Sequence, residues 1–153
     1  TNIVFNLEAI RKVESGKLKV HKKFDTNVAL IKIFPGIHPD TISSTLNTKN
    51  LKAAILETFG SGNAPTDKAF ISALKEAIKK GIVIVNVSQC SGGTVMQGKY
   101  ETSVQLKKIG VISGNDINTE AAITKLMFLL GKNLKINEIE KLFQKSLCGE
   151  IAE

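Results

Sequence analysis

The stretch ETFGSGNAPTD, residues 57–67, combines two glycines and an asparagine directly after an apolar run. Gly60 and Gly62 allow the backbone to turn tightly and to approach a ligand closely. The side-chain amide of Asn63 both donates and accepts hydrogen bonds, so it can hold an amide or carboxylate substrate. The glycines are equally well explained by a turn that serves the backbone alone.

This turn departs from the nucleotide-binding motifs that glycine-rich turns commonly form. The third glycine of the pattern G-x-G-x-x-G would stand at Pro65. The acidic residue expected about 20 residues further on would fall in AIKKGIVIV, which contains none. The G-K-[ST] sequence of a phosphate-binding P-loop is also missing. The sequence therefore gives no support for a nucleotide ligand.

A second glycine-rich stretch contains two other side chains that could contact a ligand. Cys90 opens this loop, but no histidine lies near it in the sequence to act as a base, so a buried or ligand-lining thiol is favoured over a nucleophile. Tyr100, the only tyrosine, follows the loop, and packing explains it most simply. The two cysteines and two histidines are too dispersed for a metal site, so none is expected.

The elements that would position these turns alternate between strands and helices. Apolar runs predict strands at 27–34, 51–58, 82–88 and 110–114. Helical periodicity and capping residues predict helices at 39–46, from Thr66 or Asp67 to Lys80, at 102–109, from Asn118 or Thr119 to Leu130, and from Asn137, where Glu140 would complete a capping box.

This alternation predicts an α/β fold, a Rossmann-like three-layer domain with a parallel sheet of about four strands and helices on both faces. Its ligand edge should lie at the carboxyl ends of the strands, at a switch in strand order. Residues 1–26 show weak periodicity and many charges, and we interpret them as an N-terminal arm or the remnant of an interdomain linker, followed by one domain at 27–153. The start at Thr1 suggests a piece of a longer polypeptide.

The net charge of +7 raises the possibility of a nucleic-acid partner. However, the lysines are scattered, and the chain has a single arginine and no tryptophan, which disfavours base recognition. No apolar run is long enough to span a bilayer, so neither nucleic acid nor a membrane is the expected partner. A stand-alone amino-acid-binding or regulatory module is the alternative to an enzyme domain.

The C-terminal half of type I bacterial L-asparaginases closely resembles two segments of this chain, ETFGSGNAPTDKAFISALKEAIKKGIVIVNVSQCSGG and GKYETSVQLKKIGVISGNDINTEAAITKLMFLLG. The earlier stretch VALIKIFPGI is also similar, so the resemblance covers about residues 27–150. It implies a cytoplasmic enzyme that hydrolyses L-asparagine to L-aspartate and ammonia without a cofactor. In that family a threonine is the nucleophile, and a second threonine, an aspartate and a lysine handle protons.

The family's threonines lie in an N-terminal domain, within motifs of the type TGGTI and HGTDT, and neither motif occurs here. The resemblance therefore implies that residues 27–153 are the C-terminal domain, with no catalytic residue of its own. It also implies a homodimer or tetramer in which Asn63 and Tyr100 contribute to the substrate site. Cys90 corresponds to a cysteine of a second, allosteric asparagine site, whereas Glu57 stands where an arginine can occur, so allosteric activation is not expected.

Overall fold

Four parallel strands form the central sheet, as the sequence predicts. The computed structural model of the chain describes residue 10, residues 16–98 and residues 101–152. The strands are short runs of branched apolar residues: β1 (Val28–Lys32), β2 (Ala53–Thr58), β3 (Val83–Ser88) and β4 (Ile112–Ser113). Every residue of β3 is buried, as expected for an inner strand of a parallel sheet covered on both faces.

Five helices cover the two faces of the sheet: α1 (Pro39–Leu46), α2 (Lys68–Lys79), α3 (Glu101–Ile109), α4 (Thr119–Leu130) and α5 (Ile136–Phe143). Alternate residues of β2 enter two separate apolar clusters. Ala54 and Leu56 pack with α1, α2 and α3, whereas Ala53 and Ile55 pack with α4 and α5. This arrangement confirms the predicted three-layer α/β domain.

The strands lie in the sheet in their chain order, β1-β2-β3-β4. The expected switch in strand order is therefore wrong for the described sheet. Connections between successive parallel strands are right-handed as a rule, and here each new strand is added on the same side of the preceding strand. The helices of these connections therefore all lie on one face of the sheet. The second helical layer is formed by α4 and α5, which follow β4 and cover the opposite face. The carboxyl ends of adjacent strands consequently lie side by side. The described sheet does not contain the crevice that forms where the chain reverses its direction of strand addition.

The helix starts follow the predicted capping chemistry in two of three cases. Asp67 accepts a hydrogen bond from the Phe70 backbone N–H at 2.9 Å, and Asn118 accepts one from the Ala121 N–H at 2.8 Å. The predicted capping box at Asn137 and Glu140 is wrong. Helix α5 instead begins one residue earlier, and Glu138 accepts from the Lys135 backbone N–H at 2.9 Å.

Residues 17–27 contain neither helix nor strand, and part of this arm lies on α4. The backbone N–H of Asp25 donates to the Met127 carbonyl at 2.9 Å, and the His21 ring meets the Phe128 ring edge-on at 5.3 Å. The interpretation of this arm as a linker remains a prediction. None of the helices in the described part of the chain has the length and apolar character needed to cross a bilayer.

A buried ion pair holds the C-terminal turn against α4. Lys125 Nζ lies 2.5 Å from Glu150 Oε1, and the two side chains are 4% and 8% exposed. Burial alone would raise the pKa of Glu150, but hydrogen bonds from Lys125 and from the backbone N–H groups of Leu147 and Cys148 outweigh it and hold the pKa well below its ordinary value of 4.5. Because the folded pKa is lowered, this stabilisation is fully present above pH 4.5 and is lost as the pH falls below it.

Replacing Lys125 by methionine should lower the free energy of unfolding by about 3 kcal/mol, because the carboxylate of Glu150 would then be buried without its partner. Urea unfolding at neutral pH measures this difference.

The matched control is Lys79→Met, which breaks an exposed pair with Glu76 and should leave the free energy of unfolding nearly unchanged. Equal losses in the two variants would show that the buried pair does not anchor the C-terminal turn.

Candidate functional site

The turn from Phe59 to Asn63 projects from the carboxyl end of β2. Its ends pair with each other: the Phe59 N–H donates to the Asn63 carbonyl, and the Asn63 N–H donates to the Phe59 carbonyl, each at 2.9 Å. Gly60 and Gly62 have φ values of +48° and +100°. The second of these conformations strongly favours glycine, so backbone geometry accounts for Gly62, which is one of the two explanations that the sequence left open.

The three carbonyls at the tip of this turn all accept hydrogen bonds from β3 or from the loop that follows it. Ser88 Oγ donates to the Gly60 carbonyl at 2.6 Å, and Asn86 Nδ2 donates to the Gly62 carbonyl at 3.1 Å. Between them, the Met96 backbone N–H donates to the Ser61 carbonyl at 3.0 Å. The turn is therefore fixed by its neighbours as well as by its own backbone hydrogen bonds, which include one from the Gly62 N–H to the Phe59 carbonyl at 3.0 Å.

Gly62 also fits closely against the loop after β3. A methyl group added at its Cα would lie 2.7 Å from Val95 Cγ1 and 3.1 Å from Asn86 Nδ2. By contrast, a methyl group at Gly60 would meet no atom within 4 Å. Of the two glycines in the turn, Gly62 is the one that both the backbone conformation and the packing require.

Asn63, the predicted substrate-binding residue, is half-buried at the end of this turn. Its backbone is held by the paired hydrogen bonds with Phe59. The residue lies at the edge of the sheet formed by the carboxyl ends of the strands, where ligands of α/β domains commonly bind. Tyr100, the second predicted substrate-binding residue, lies outside the described residues. The structure therefore gives a position for Asn63 and leaves its grouping with Tyr100 as a prediction.

Glu57 and Cys90, the two candidates for an allosteric site, line one cleft of about 610 Å³. The cleft lies between the loop after β3, the start of α4 and the C-terminal turn. Its lining includes the acidic residues Glu57, Asp116, Glu120 and Glu150 and no basic residue among those that the structure describes. Asn63 is not part of this lining, so the structure does not group it with Glu57 and Cys90.

The carboxylate of Glu57 is engaged by two neighbouring elements. Thr119 Oγ1 at the start of α4 donates to Glu57 Oε1 at 2.5 Å, and Lys32 Nζ from β1 lies 3.3 Å from Oε2. The Glu57 side chain is only 13% exposed. Glu57 thus ties β1 and α4 to the end of β2, while it keeps a negative charge beside the cleft.

Cys90 is exposed, so the expectation of a buried thiol is wrong, whereas the ligand-lining alternative agrees with its place in the cleft. The physical reason is that β3 ends at Ser88, and the chain has already turned outward two residues later. Ser88 Oγ accepts from the Cys90 N–H at 3.0 Å, which supports this turn. Within the described ranges no cluster of three or more His, Cys, Asp or Glu side chains could hold a metal ion.

Sequence reasoning missed the polar residues beneath the turn. Asn86 and Thr58 are fully buried, and Thr58 Oγ1 donates to Asn86 Oδ1 at 2.5 Å. Gln89 Nε2 reaches across the sheet to the carbonyls of Ile33 and Glu57 at 2.5 and 2.8 Å. A detectable signal was present for Asn86, since it is the one polar residue within the apolar run IVIVNV.

Replacing Gly62 by alanine should destabilise the chain by about 1–3 kcal/mol, because the positive φ is strained for alanine and Val95 must move. Denaturant unfolding measures the loss.

Gly60→Ala is the matched control in the same turn. Its φ of +48° lies in the left-handed region and its surroundings are open, so the loss should be smaller. A Gly62→Ala variant as stable as Gly60→Ala would contradict the close packing described above.

Three comparisons with known proteins show which family this chain resembles. The profile of the glutaminase/asparaginase C-terminal domain family matches residues 27–143. The chain is 41% identical over 136 residues to L-asparaginase 1 of Escherichia coli K12, covering 89% of this chain and 40% of that protein. It is 37% identical over 153 residues to the 60 kDa lysophospholipase of Mus musculus, covering 98% of this chain and 27% of that protein.

The crystal structure of L-asparaginase I from Vibrio cholerae superimposes with a TM-score of 0.84 at 40% identity, covering 91% of this chain and 42% of that one. The chain thus spans less than half the length of these relatives. The resemblance to bacterial L-asparaginases is confirmed in both sequence and fold. This chain belongs to the glutaminase/asparaginase C-terminal domain family.

Proposed function

We propose that this domain is part of an L-asparaginase that hydrolyses L-asparagine to L-aspartate and ammonia. The observation that carries the proposal is the Phe59–Asn63 turn, which presents an asparagine at the carboxyl end of β2 in a domain of this family. An amide side chain in this place can hydrogen-bond the polar groups of an amino-acid substrate. The similarity to asparaginases of Escherichia coli and Vibrio cholerae supports the choice of substrate.

Asn63 and Tyr100 are the substrate-site residues in this proposal, and the chain supplies no catalytic residue. The nucleophilic threonine and its proton-handling partners belong to an N-terminal domain that the complete protein carries. This division is supported by the coverage of the relatives, of whose length the chain spans about 40%. No cofactor takes part, and the complete enzyme is cytoplasmic, as in the type I asparaginases that the sequence resembles.

The complete enzyme is a homodimer or tetramer in which each substrate site combines an N-terminal domain with this domain of a close partner subunit. Exposed apolar side chains support a covered surface in the assembly. Leu30 and Phe34, on and just beyond the edge strand β1, are 47% and 54% exposed. Exposed apolar side chains that form a contiguous patch commonly mark an interaction surface. Neither nucleic acid nor a membrane is a partner in this proposal.

The cleft at Glu57 and Cys90 does not bind asparagine as an activator in this proposal. A free amino acid brings a carboxylate, and the part of the lining that the structure describes offers acidic side chains without a basic one. Glu57 is already paired with Lys32 and Thr119, and it would repel a second carboxylate at short range. Saturation curves of the complete protein with asparagine should therefore lack sigmoidal character.

A second activity is suggested by the alignment with the mouse 60 kDa lysophospholipase, which includes 98% of this chain. Hydrolysis of a lysophospholipid ester would release a fatty acid and a glycerophosphodiester and no ammonia, so the two activities are separated by their products. A stand-alone amino-acid-binding module would instead bind asparagine or aspartate without releasing either product.

Purified chain 1–153 should release no ammonia from asparagine, whereas the complete protein should turn over at about one per second or faster. The reason is that the chain lacks the nucleophile and its base.

In the complete protein, Asn63→Ala should lower kcat/KM by roughly tenfold, because a substrate polar group would lose its partner.

The control is Asn47→Ala, the same change at the end of α1, which should leave kcat/KM unchanged. Ammonia release by the isolated chain, or fatty-acid release from lysophosphatidylcholine in place of ammonia from the complete protein, would overturn the proposal.

A further inference from the structure

Asn86 occupies the centre of β3, where it is fully buried among apolar residues. Its backbone takes part in the sheet, opposite Leu56 of β2 and Ser113 of β4, and its carbonyl accepts from the Gly114 N–H at 2.8 Å. These backbone bonds do not require an asparagine side chain. A buried amide is costly unless its polar atoms are paired, so the identity of residue 86 needs a separate explanation.

The orientation of the Asn86 amide is determined by the chemistry of its two partners. The Gly62 carbonyl can only accept, so the nitrogen Nδ2 must face it, at 3.1 Å. Thr58 Oγ1 then donates to Oδ1 at 2.5 Å on the other side of the amide. Thr58 is itself fully buried. Thr58 and Asn86 therefore form a chain of two hydrogen bonds. It connects the end of β2 to the side chain of Asn86 on β3, and that side chain to the turn that follows β2.

The carbonyl that Asn86 holds belongs to the peptide unit that enters Asn63. This unit has two polar ends, and both are bonded: the Gly62 carbonyl accepts from Asn86 Nδ2, and the Asn63 N–H donates to the Phe59 carbonyl at 2.9 Å. Fixing both ends of a planar peptide unit fixes the place of the next Cα atom. The direction in which the Asn63 side chain leaves the backbone therefore depends on Asn86.

Gly62 is part of the same arrangement, since a methyl group at its Cα would lie 3.1 Å from Asn86 Nδ2. The lack of a side chain at residue 62 allows the amide to approach the carbonyl from beneath the turn. An apolar residue at position 86 would fill the strand equally well but would leave the buried end of this peptide unit without that donor.

We infer that Asn86 is a positioning residue, which sets the place of Asn63 in the substrate site through the Gly62 carbonyl. This inference rests on the proposed function, because it assumes that Asn63 contacts the substrate. Asn86 itself lies beneath the turn and does not contact the substrate.

Asn86→Leu in the complete protein tests the inference, since leucine has a similar size and no donor. We expect kcat/KM for asparagine to fall roughly tenfold, the cost of an unpaired buried carbonyl and a displaced turn. The loss should divide between kcat and KM as it does in Asn63→Ala. Added to Asn63→Ala, the same change should cause no further loss, because residues that act through one contact are not additive.

A multiplied loss in the double variant, or full activity in Asn86→Leu, would overturn the inference. If Asn86→Leu fails to fold, as judged by thermal unfolding, Thr58→Val replaces it, because it removes the hydroxyl that orients the amide and preserves the side-chain shape. If Asn63→Ala alone has no effect on kcat/KM, the proposed role of Asn63 in the substrate site fails, whereas the hydrolysis of asparagine is tested separately by ammonia release.

In that case a second measurement on chain 1–153 still decides the positioning role. Hydrogen exchange at the Asn63 amide, which is bonded to the Phe59 carbonyl, should accelerate roughly tenfold or more in Asn86→Leu, since opening of the turn becomes easier. The amide of Lys80 at the end of α2 serves as the control and should be unchanged. Unaltered exchange at Asn63 would refute the positioning role.

Discussion

The hydrogen bond between the buried Asn86 amide and the Gly62 carbonyl is the interaction on which the ligand edge of this domain depends. It joins the inner strand of the sheet to the turn that carries Asn63, and it does so where water cannot substitute for a missing partner. Ser88 and Met96 likewise donate hydrogen bonds to the carbonyls of Gly60 and Ser61, respectively. A turn of five residues with two glycines has large conformational freedom when it is isolated. Here hydrogen bonds to the strand and the loop beneath it restrict that freedom.

The sequential order of the strands explains why this edge has two separate parts. Since each strand lies beside the one that precedes it, the turns after β2, β3 and β4 lie next to one another along a single edge. The Asn63 turn is supported on the face covered by α1, α2 and α3, whose core includes the neighbouring Ala64 and Leu56. The cleft at Glu57 and Cys90 opens towards α4 and the C-terminal turn, which Lys125 and Glu150 anchor. Ser88 connects the two parts, because it lines the cleft while its Oγ donates to the Gly60 carbonyl of the turn.

The sequence predicted the layers and most helix and strand bounds, because strong apolar periodicity and capping residues such as Asp67 and Asn118 act locally. It failed where the outcome depends on distant contacts. The order of the strands in the sheet does not follow from the positions of the elements in the sequence. The start of α5 was misplaced because the capping box is formed by Glu138 with Lys135 and not by Glu140 with Asn137. Of the candidate site, the Asn63 turn was predicted from its glycines and from the family resemblance. Its supports at Asn86, Thr58 and Ser88 were not, since their partners lie up to 29 residues away in the chain.

The central claim is that the turn held by β3 presents Asn63 to a substrate whose attacking threonine belongs to another domain. A crystal structure of the complete protein with bound aspartate tests this most directly. The account predicts that the Asn63 amide lies about 3 Å from the ligand or from the threonine-bearing site of a neighbouring subunit. A ligand bound in a site to which neither this turn nor Tyr100 contributes would contradict it.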